Sequence, residues 1–117
     1  MLFRSFLLLG TDLRPEEPIW RTDSIIIVAI DRPGRRAALL TIPRDLWVEV
    51  PGVGYRRINQ VDYLGERVMG TEGGGPALLS QTISNTLGIE TQHWMRVDMS
   101  GFRQTVDLLG EIGRAHV

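Results

Sequence analysis

An α/β fold, with helices covering a mixed sheet, is what this sequence predicts, and three observations carry it. Short apolar runs rich in Leu, Ile and Val end in turn-forming residues, as buried strands do. Other segments repeat their apolar residues at helical spacing. The two kinds of segment alternate along the chain, which is the pattern of helices packed on a sheet.

Residues 2–9 are apolar and stopped by Gly10, which predicts a first buried strand. Residues 13–20 hold Pro15 and Pro18 and read as a loop. Residues 24–30 (Ser-Ile-Ile-Ile-Val-Ala-Ile) predict a β-branched strand. Asp31-Arg32-Pro33-Gly34 is a turn signature, and residues 36–42 form the returning strand of a hairpin. Residues 46–50 alternate and read as a short strand broken by Pro51-Gly52-Val53-Gly54. Over 57–68, Ile58, Val61, Leu64 and Val68 recur at helical spacing and predict a helix. A glycine-rich loop over 69–75 leads to a helix with Pro76 as its first residue, Leu79, Ile83 and Leu87 on one face and Gly88 as its stop. Residues 93–97 are a further strand, and Ser100 caps a last helix with Phe102, Val106 and Leu109 inward.

The 117 residues are one small domain or part of a larger one, and 43% apolar content is enough for a core. A formal charge of -1 predicts no nucleic-acid partner and no electrostatic attraction to a membrane. All 13 cations are Arg, whose forked donors suit bidentate contacts to oxyanions. Without cysteine there are no disulfides and no thiolate metal sites. No apolar run approaches membrane-spanning length and no signal-peptide pattern opens the chain, so the visible part reads as soluble, with a fragment of an anchored protein left open.

Charges cluster where strands end. Asp12 and Asp23 sit beside apolar strands, where an unpaired buried charge would be costly. Together they would suit one Mg²⁺ ion, which takes one or two carboxylates plus substrate phosphates. The plain alternative is a turn-forming Asp12 and a capping or salt-bridged Asp23, and both readings stay open. Arg14, Arg21 and Arg44 would converge on one mouth if their strands are neighbours, and could neutralise a pyrophosphate. Otherwise they are surface arginines paired with Glu16, Glu17 or Asp45. Arg56-Arg57-Ile58-Asn59 opens the expected helix, where Arg57 and Asn59 could hold a phosphate or sugar at the N-terminus, or Asn59 could simply cap it. Gly73-Gly74-Gly75-Pro76 lacks the Lys and Ser/Thr of a phosphate loop and reads as a connection. His93 and His116 have no partners at metal-ligand spacing. Trp20, Trp47 and Trp94 read as core or pocket wall, and no serine sits in a nucleophile elbow.

The ordered string is more specific than its pieces: LLLGTDLR, RTDSIIIVAID, LLTIPRDLWVEVPGVGYRRIN, GGGPALLSQTISNTLGI, HWMRVDMSGFRQTVDLLG. It resembles the LytR-CpsA-Psr family of cell-envelope proteins from about Leu7 to Gly110. The resemblance implies a three-layer α/β/α fold with a mixed central sheet, here incomplete at the C-terminus. It implies a phosphotransferase that moves an anionic glycopolymer from a polyprenyl-pyrophosphate carrier to a peptidoglycan acceptor. Asp12 and Asp23 match the family's Mg²⁺-linked acidic pair, and Arg21 and Arg44 its pyrophosphate-contacting arginines. Arg14 fits the GxDxR pattern, and Arg57 and Asn59 fall at its K/R-I-N position as substrate-binding residues.

The implied chemistry is in-line attack of a sugar hydroxyl on the pyrophosphate, with polyprenyl phosphate leaving. The implied location is the outer face of the cell membrane, through an anchor that this chain lacks. A later arginine-rich block of the family is also missing, so residues 1–110 are expected to be a partial catalytic domain. Residues 111–117 resemble a sequencing-library adapter read in frame and are expected to be a non-native tail. Such a fragment is expected to be inactive or impaired. Three other classes stay in view: a pyrophosphate-lipid hydrolase, a non-catalytic lipid-phosphate binding module, and a DNA-binding regulator, against which the near-neutral charge argues.

Overall fold

The computed structural model describes residues 3–11, 20–31 and 36–114. Asp12 and Arg14 therefore lie outside the described residues, as do Glu16, Glu17 and His116.

Four strands make the main sheet: β1 (Phe3–Thr11), β2 (Thr22–Asp31), β3 (Arg36–Ile42) and β6 (His93–Val97), in the order β3-β2-β1-β6. β2 runs antiparallel to both β1 and β3, while β6 runs parallel to β1, so the sheet is mixed as expected. The apolar runs of β1 and β2 are continuous because both faces of these central strands are covered. Leu7, Leu9, Ile25 and Ile27 point to one face and pack with Leu78, Leu79 and Ile83 of α2 (Gly74–Leu87). Leu8, Ile26 and Val28 point to the other face and pack with Phe102 and Leu109 of α3 (Met99–Arg114). A helix on each face of one mixed sheet is the three-layer α/β/α arrangement.

β4 (Trp47–Val50) and β5 (Gly54–Arg57) form a separate antiparallel hairpin. Val48 and Val50 anchor it in the α2-side core. The expected helix over 57–68 is corrected in part. β5 takes residues up to Arg57, and a 3₁₀ turn (Ile58–Gln60), one turn of α-helix, α1 (Val61–Tyr63), and a π turn (Leu64–Val68) follow. Ile58 and Val61 are buried as that spacing implies while Val68 is exposed, and the backbone of Ile58 and Asn59 also bonds to the chain before β4. The Ile58 N–H donates to the Leu46 carbonyl at 2.8 Å and the Asn59 N–H to the Arg44 carbonyl at 3.1 Å. These are first-turn N–H groups, which a helix leaves without internal partners, so the two bonds tie the start of the 3₁₀ turn to the chain before β4.

Two helix starts also differ from the sequence reading. α2 begins at Gly74 rather than Pro76, and ends as expected with Gly88 in the left-handed conformation at φ 71. α3 begins two residues early, and its cap is Asp98, whose Oδ1 accepts the Gly101 N–H at 2.7 Å, rather than Ser100. No described helix is long and apolar enough to cross a membrane.

Candidate functional site

Four strand ends meet at one edge of the main sheet. β1 and β6 finish there in parallel register, Gly10 beside Val97. β3 finishes there with Ile42 beside Ile25, and β2 starts there with Thr22 beside Thr11. A crevice outside the carboxyl ends of strands is where open α/β sheets hold ligands.

A β-bulge shapes this edge. Gly10 pairs with Ser24 and Thr11 with Thr22, so Asp23 is the extra residue of β2. Bulges re-aim side chains, and this one frees Asp23 from the ladder. Arg44 comes from the turn after β3, which the Leu46 N–H closes on the Pro43 carbonyl at 3.1 Å. Its Nη1 donates to Asp23 Oδ1 at 3.2 Å. The structure thus brings two of the predicted site residues together across strands 21 positions apart. Arg21 lies one step before the bulge with an exposed side chain, its carbonyl accepting from the Thr11 hydroxyl at 3.3 Å.

Asn59 joins the same neighbourhood through its backbone bond to Arg44. Its Oδ1 is buried and has no hydrogen-bond partner among the described residues, and the same is true of the Thr22 hydroxyl next to Asp23. Arg57 and Asn59 do sit at a helical N-terminus, Arg57 as the N-cap of the 3₁₀ turn and Asn59 inside it, though the turn is shorter than the helix expected. Arg57 is also the exposed last residue of β5, opposite Trp47.

A Mg²⁺ ion needs hard oxygen donors. Asp23 offers a part-exposed carboxylate, and the unpartnered oxygens of Thr22 and Asn59 lie on residues bonded to or adjoining the Asp23–Arg44 pair. The described residues hold no cluster of three acidic or imidazole groups, so any ion would depend on Asp23 together with Asp12 and substrate oxygens. The donor chemistry fits on those terms.

A second polar cluster at this edge was missed by the sequence reading. Asp62 is fully buried, and Arg96 grips it with two bonds, Nη2 to Oδ1 at 2.6 Å and Nε to Oδ2 at 2.9 Å. Trp20 donates its indole N–H to Asp62 Oδ2 at 3.3 Å. Arg96 also reaches Glu66 Oε1 at 3.2 Å, and Glu66 accepts the Gly75 N–H at 3.1 Å. Arg67 and Arg96 lie over the Trp20 ring at 5.4 and 5.8 Å, and Tyr63 meets it edge-on. Burial pulls the Arg96 guanidinium down, but its bonds to Asp62 outweigh that and hold it above its ordinary value. The Gly75 N–H, with Arg96 adding and burial opposing, holds the Glu66 carboxyl below its ordinary value. This network seats Trp20 immediately before Arg21 and so fixes where the chain enters the site. Its only sequence signal was a charge inside each of two apolar segments, 34 residues apart.

The chain matches the family model described as the LytR_cpsA_psr family over residues 4–113. It is 36% identical over 108 residues to the polyisoprenyl-teichoic acid–peptidoglycan teichoic acid transferase TagU of Oceanobacillus iheyensis, covering 92% of this chain and 32% of that protein. It is 33% identical over 105 residues to the regulatory protein MsrR of Staphylococcus aureus, covering 90% of this chain and 29% of that protein. Among solved structures it resembles YwtF (TagT) of Bacillus subtilis with bound octaprenyl pyrophosphate lipid, at TM-score 0.65 and 27% identity, over 92% of this chain and 39% of that one. The chain thus spans about a third of the length of these relatives. The family match over residues 4–113 and the identity to these relatives show that this chain belongs to the LytR-CpsA-Psr family.

Proposed function

We propose that this chain forms part of the catalytic domain of an envelope phosphotransferase, which moves an anionic glycopolymer from a polyprenyl-pyrophosphate carrier to peptidoglycan. The observation that carries the reading is the Asp23–Arg44 pair at the bulge, on a fold shared with a relative that holds octaprenyl pyrophosphate. The protein would act at the outer face of the membrane.

Arg44 has the role most readily derived from its geometry. Its guanidinium is half-exposed and its fork is already oriented by Asp23. A pyrophosphate entering the crevice would offer oxygens in place of the carboxylate, so Arg44 and Arg21 would neutralise the developing charge. The same exchange would release Asp23. An acceptor sugar hydroxyl would then attack the phosphorus that bears the polymer, forming one P–O bond as the bond to polyprenyl phosphate breaks. Its proton would pass to a carboxylate of the Asp12/Asp23 pair. Mg²⁺, held by Asp12 and Asp23, would supply further charge neutralisation on the phosphate oxygens when bound. Arg14, Arg57 and Asn59 would contact the substrate outside the reacting atoms. A cleft of about 280 Å³ between α2 and β6, walled by Leu7, Pro76, Ala77 and Trp94, is on the α2 face of the same sheet and could seat part of the lipid.

The test is transfer by the full-length protein from a labelled lipid-linked polymer to peptidoglycan, with and without EDTA. Label fixed to peptidoglycan, and lost in Arg44→Ala and Asp23→Ala, is the expected result. Label released into solution with none fixed would replace this reading with a hydrolase.

A further inference from the structure

The β4–β5 hairpin presents an aromatic surface that the transfer chemistry does not use. Trp47 is 62% and Tyr55 52% exposed, against the sequence reading of Trp47 as core or pocket wall. Their rings stack with centroids 6.4 Å apart and planes within 12°. Register explains the placement: Trp47 pairs with Arg57 and Glu49 with Tyr55, so all four side chains share one face, while Val48 and Val50 on the other face bury in the core. The hairpin is thus anchored without its aromatics. A cross-strand aromatic pair adds only about 0.2–1 kcal/mol to a hairpin, a modest return for so much exposed apolar area.

We propose that Trp47 and Tyr55 form a saccharide-stacking platform for the glycan next to the reacting pyrophosphate, an inference that rests on the transferase reading. The flat ring faces suit the apolar C–H face of a pyranose. Glu49 and Arg57 beside them supply an acceptor and donors for its hydroxyl and amide groups. The position is right for a sugar adjoining the phosphate. The same strand pairing continues through Ile58–Leu46 to Asn59–Arg44, so Trp47 stands three residues from the arginine that holds Asp23. The Pro43–Leu46 turn lies between them, so β4 leaves that turn with Trp47 as its first residue. A lipid surface is the competing occupant, but Glu49 and Arg57 on this face offset each other, so charge supplies no attraction to anionic headgroups.

The sugar adjoining the pyrophosphate is the donor polymer's, and an acceptor glycan, which presents the same ring chemistry, is the alternative that the titration separates. The full-length protein would be titrated with tetra-N-acetylglucosamine, with muramidase fragments of peptidoglycan, and with a short-chain prenyl-pyrophosphate disaccharide. Binding would be read by calorimetry and by the indole N–H signal of Trp47. Binding of any of these is expected to weaken about tenfold in Trp47→Ala, and less in Trp47→Phe. Whichever saccharide is affected names the source. Inorganic pyrophosphate binding is expected to depend on Arg44 and to be unmoved by Trp47→Ala. Folded Trp47→Ala and Tyr55→Ala variants that bind all three saccharides normally would overturn the platform while leaving the transferase reading intact. Loss of binding to phosphatidylglycerol vesicles, with saccharide binding unchanged, would also overturn it, as a membrane-facing surface. Failure of pyrophosphate to bind at all would remove the transferase reading, whereas Trp47-dependent saccharide binding would still support the platform.

Discussion

Arg96 holds Asp62 by two charged hydrogen bonds, of 2.6 and 2.9 Å, where the carboxylate has no exposure to water and the guanidinium only 18%. Removing one partner leaves the other charge buried and unpaired, which costs about 3–5 kcal/mol. Arg96→Met is therefore expected to lower unfolding stability by that order, read from a urea midpoint at pH 7. Replacing both partners, as Asp62→Leu with Arg96→Met, should recover a large part of it, because the buried charge goes too. A single variant as stable as wild type would show that Asp62 is not buried as an ion.

Glu66 gives this network an acid limb. Its carboxyl lies below the ordinary value of 4.5, held there first by the Gly75 N–H and then by Arg96. The folded state thus binds protons less readily than the unfolded chain, so this stability is present above about pH 4.5 and is lost as pH falls through the lowered value. Glu66→Gln should narrow its stability difference from wild type as pH drops from 7 to 3. A constant difference across that range would assign the effect to packing rather than charge.

Much of this fold was legible because its strands bury both faces. The runs in β1 and β2 could be read without knowing their partners, and the strand predicted over 36–42 matches β3 (Arg36–Ile42). The region after β4 was legible in part: residues 58–68 are helical as the period implies, but their division into 3₁₀, α and π turns, and the claim of β5 on Arg57, left no mark in the apolar spacing. The site was half legible. Asp23 and Arg44 carried recognisable local blocks, and their meeting depends on a bulge that only the register between β1 and β2 reveals. Asp62 and Arg96 carried no such block, since a buried ion pair is a property of two segments at once. Trp47 was misjudged because aromatic character predicts burial on average, and the hairpin's valines took the core side instead.

Gly75 marks where α2 closes on the Asp62 turn. A Cβ there would collide with the Asp62 carbonyl and carboxylate oxygens. Helix propensity alone would favour Ala over Gly by about 1 kcal/mol. The crowding should reverse that sign, giving a net loss of about 1–3 kcal/mol for Gly75→Ala. Thermal unfolding decides it, since a stabilised variant would mean that α2 does not sit this close.

Arg44 and Asp23 should separate function from stability. Their side chains are 55% and 34% exposed, and an exposed pair of this kind contributes about 0–1 kcal/mol. Arg44→Ala and Asp23→Ala should therefore unfold within a few degrees of wild type. If Arg44 instead neutralises charge on a transferring phosphoryl group, its loss should lower the transfer rate by about 10²–10³-fold. Arg44→Lys should restore little, because a point charge cannot reproduce a fork that meets Asp23 in one state and two phosphate oxygens in the other. Measured on the full-length protein, a transfer rate in Arg44→Ala within threefold of wild type would take this arginine out of the reaction, whatever it contributes to the fold.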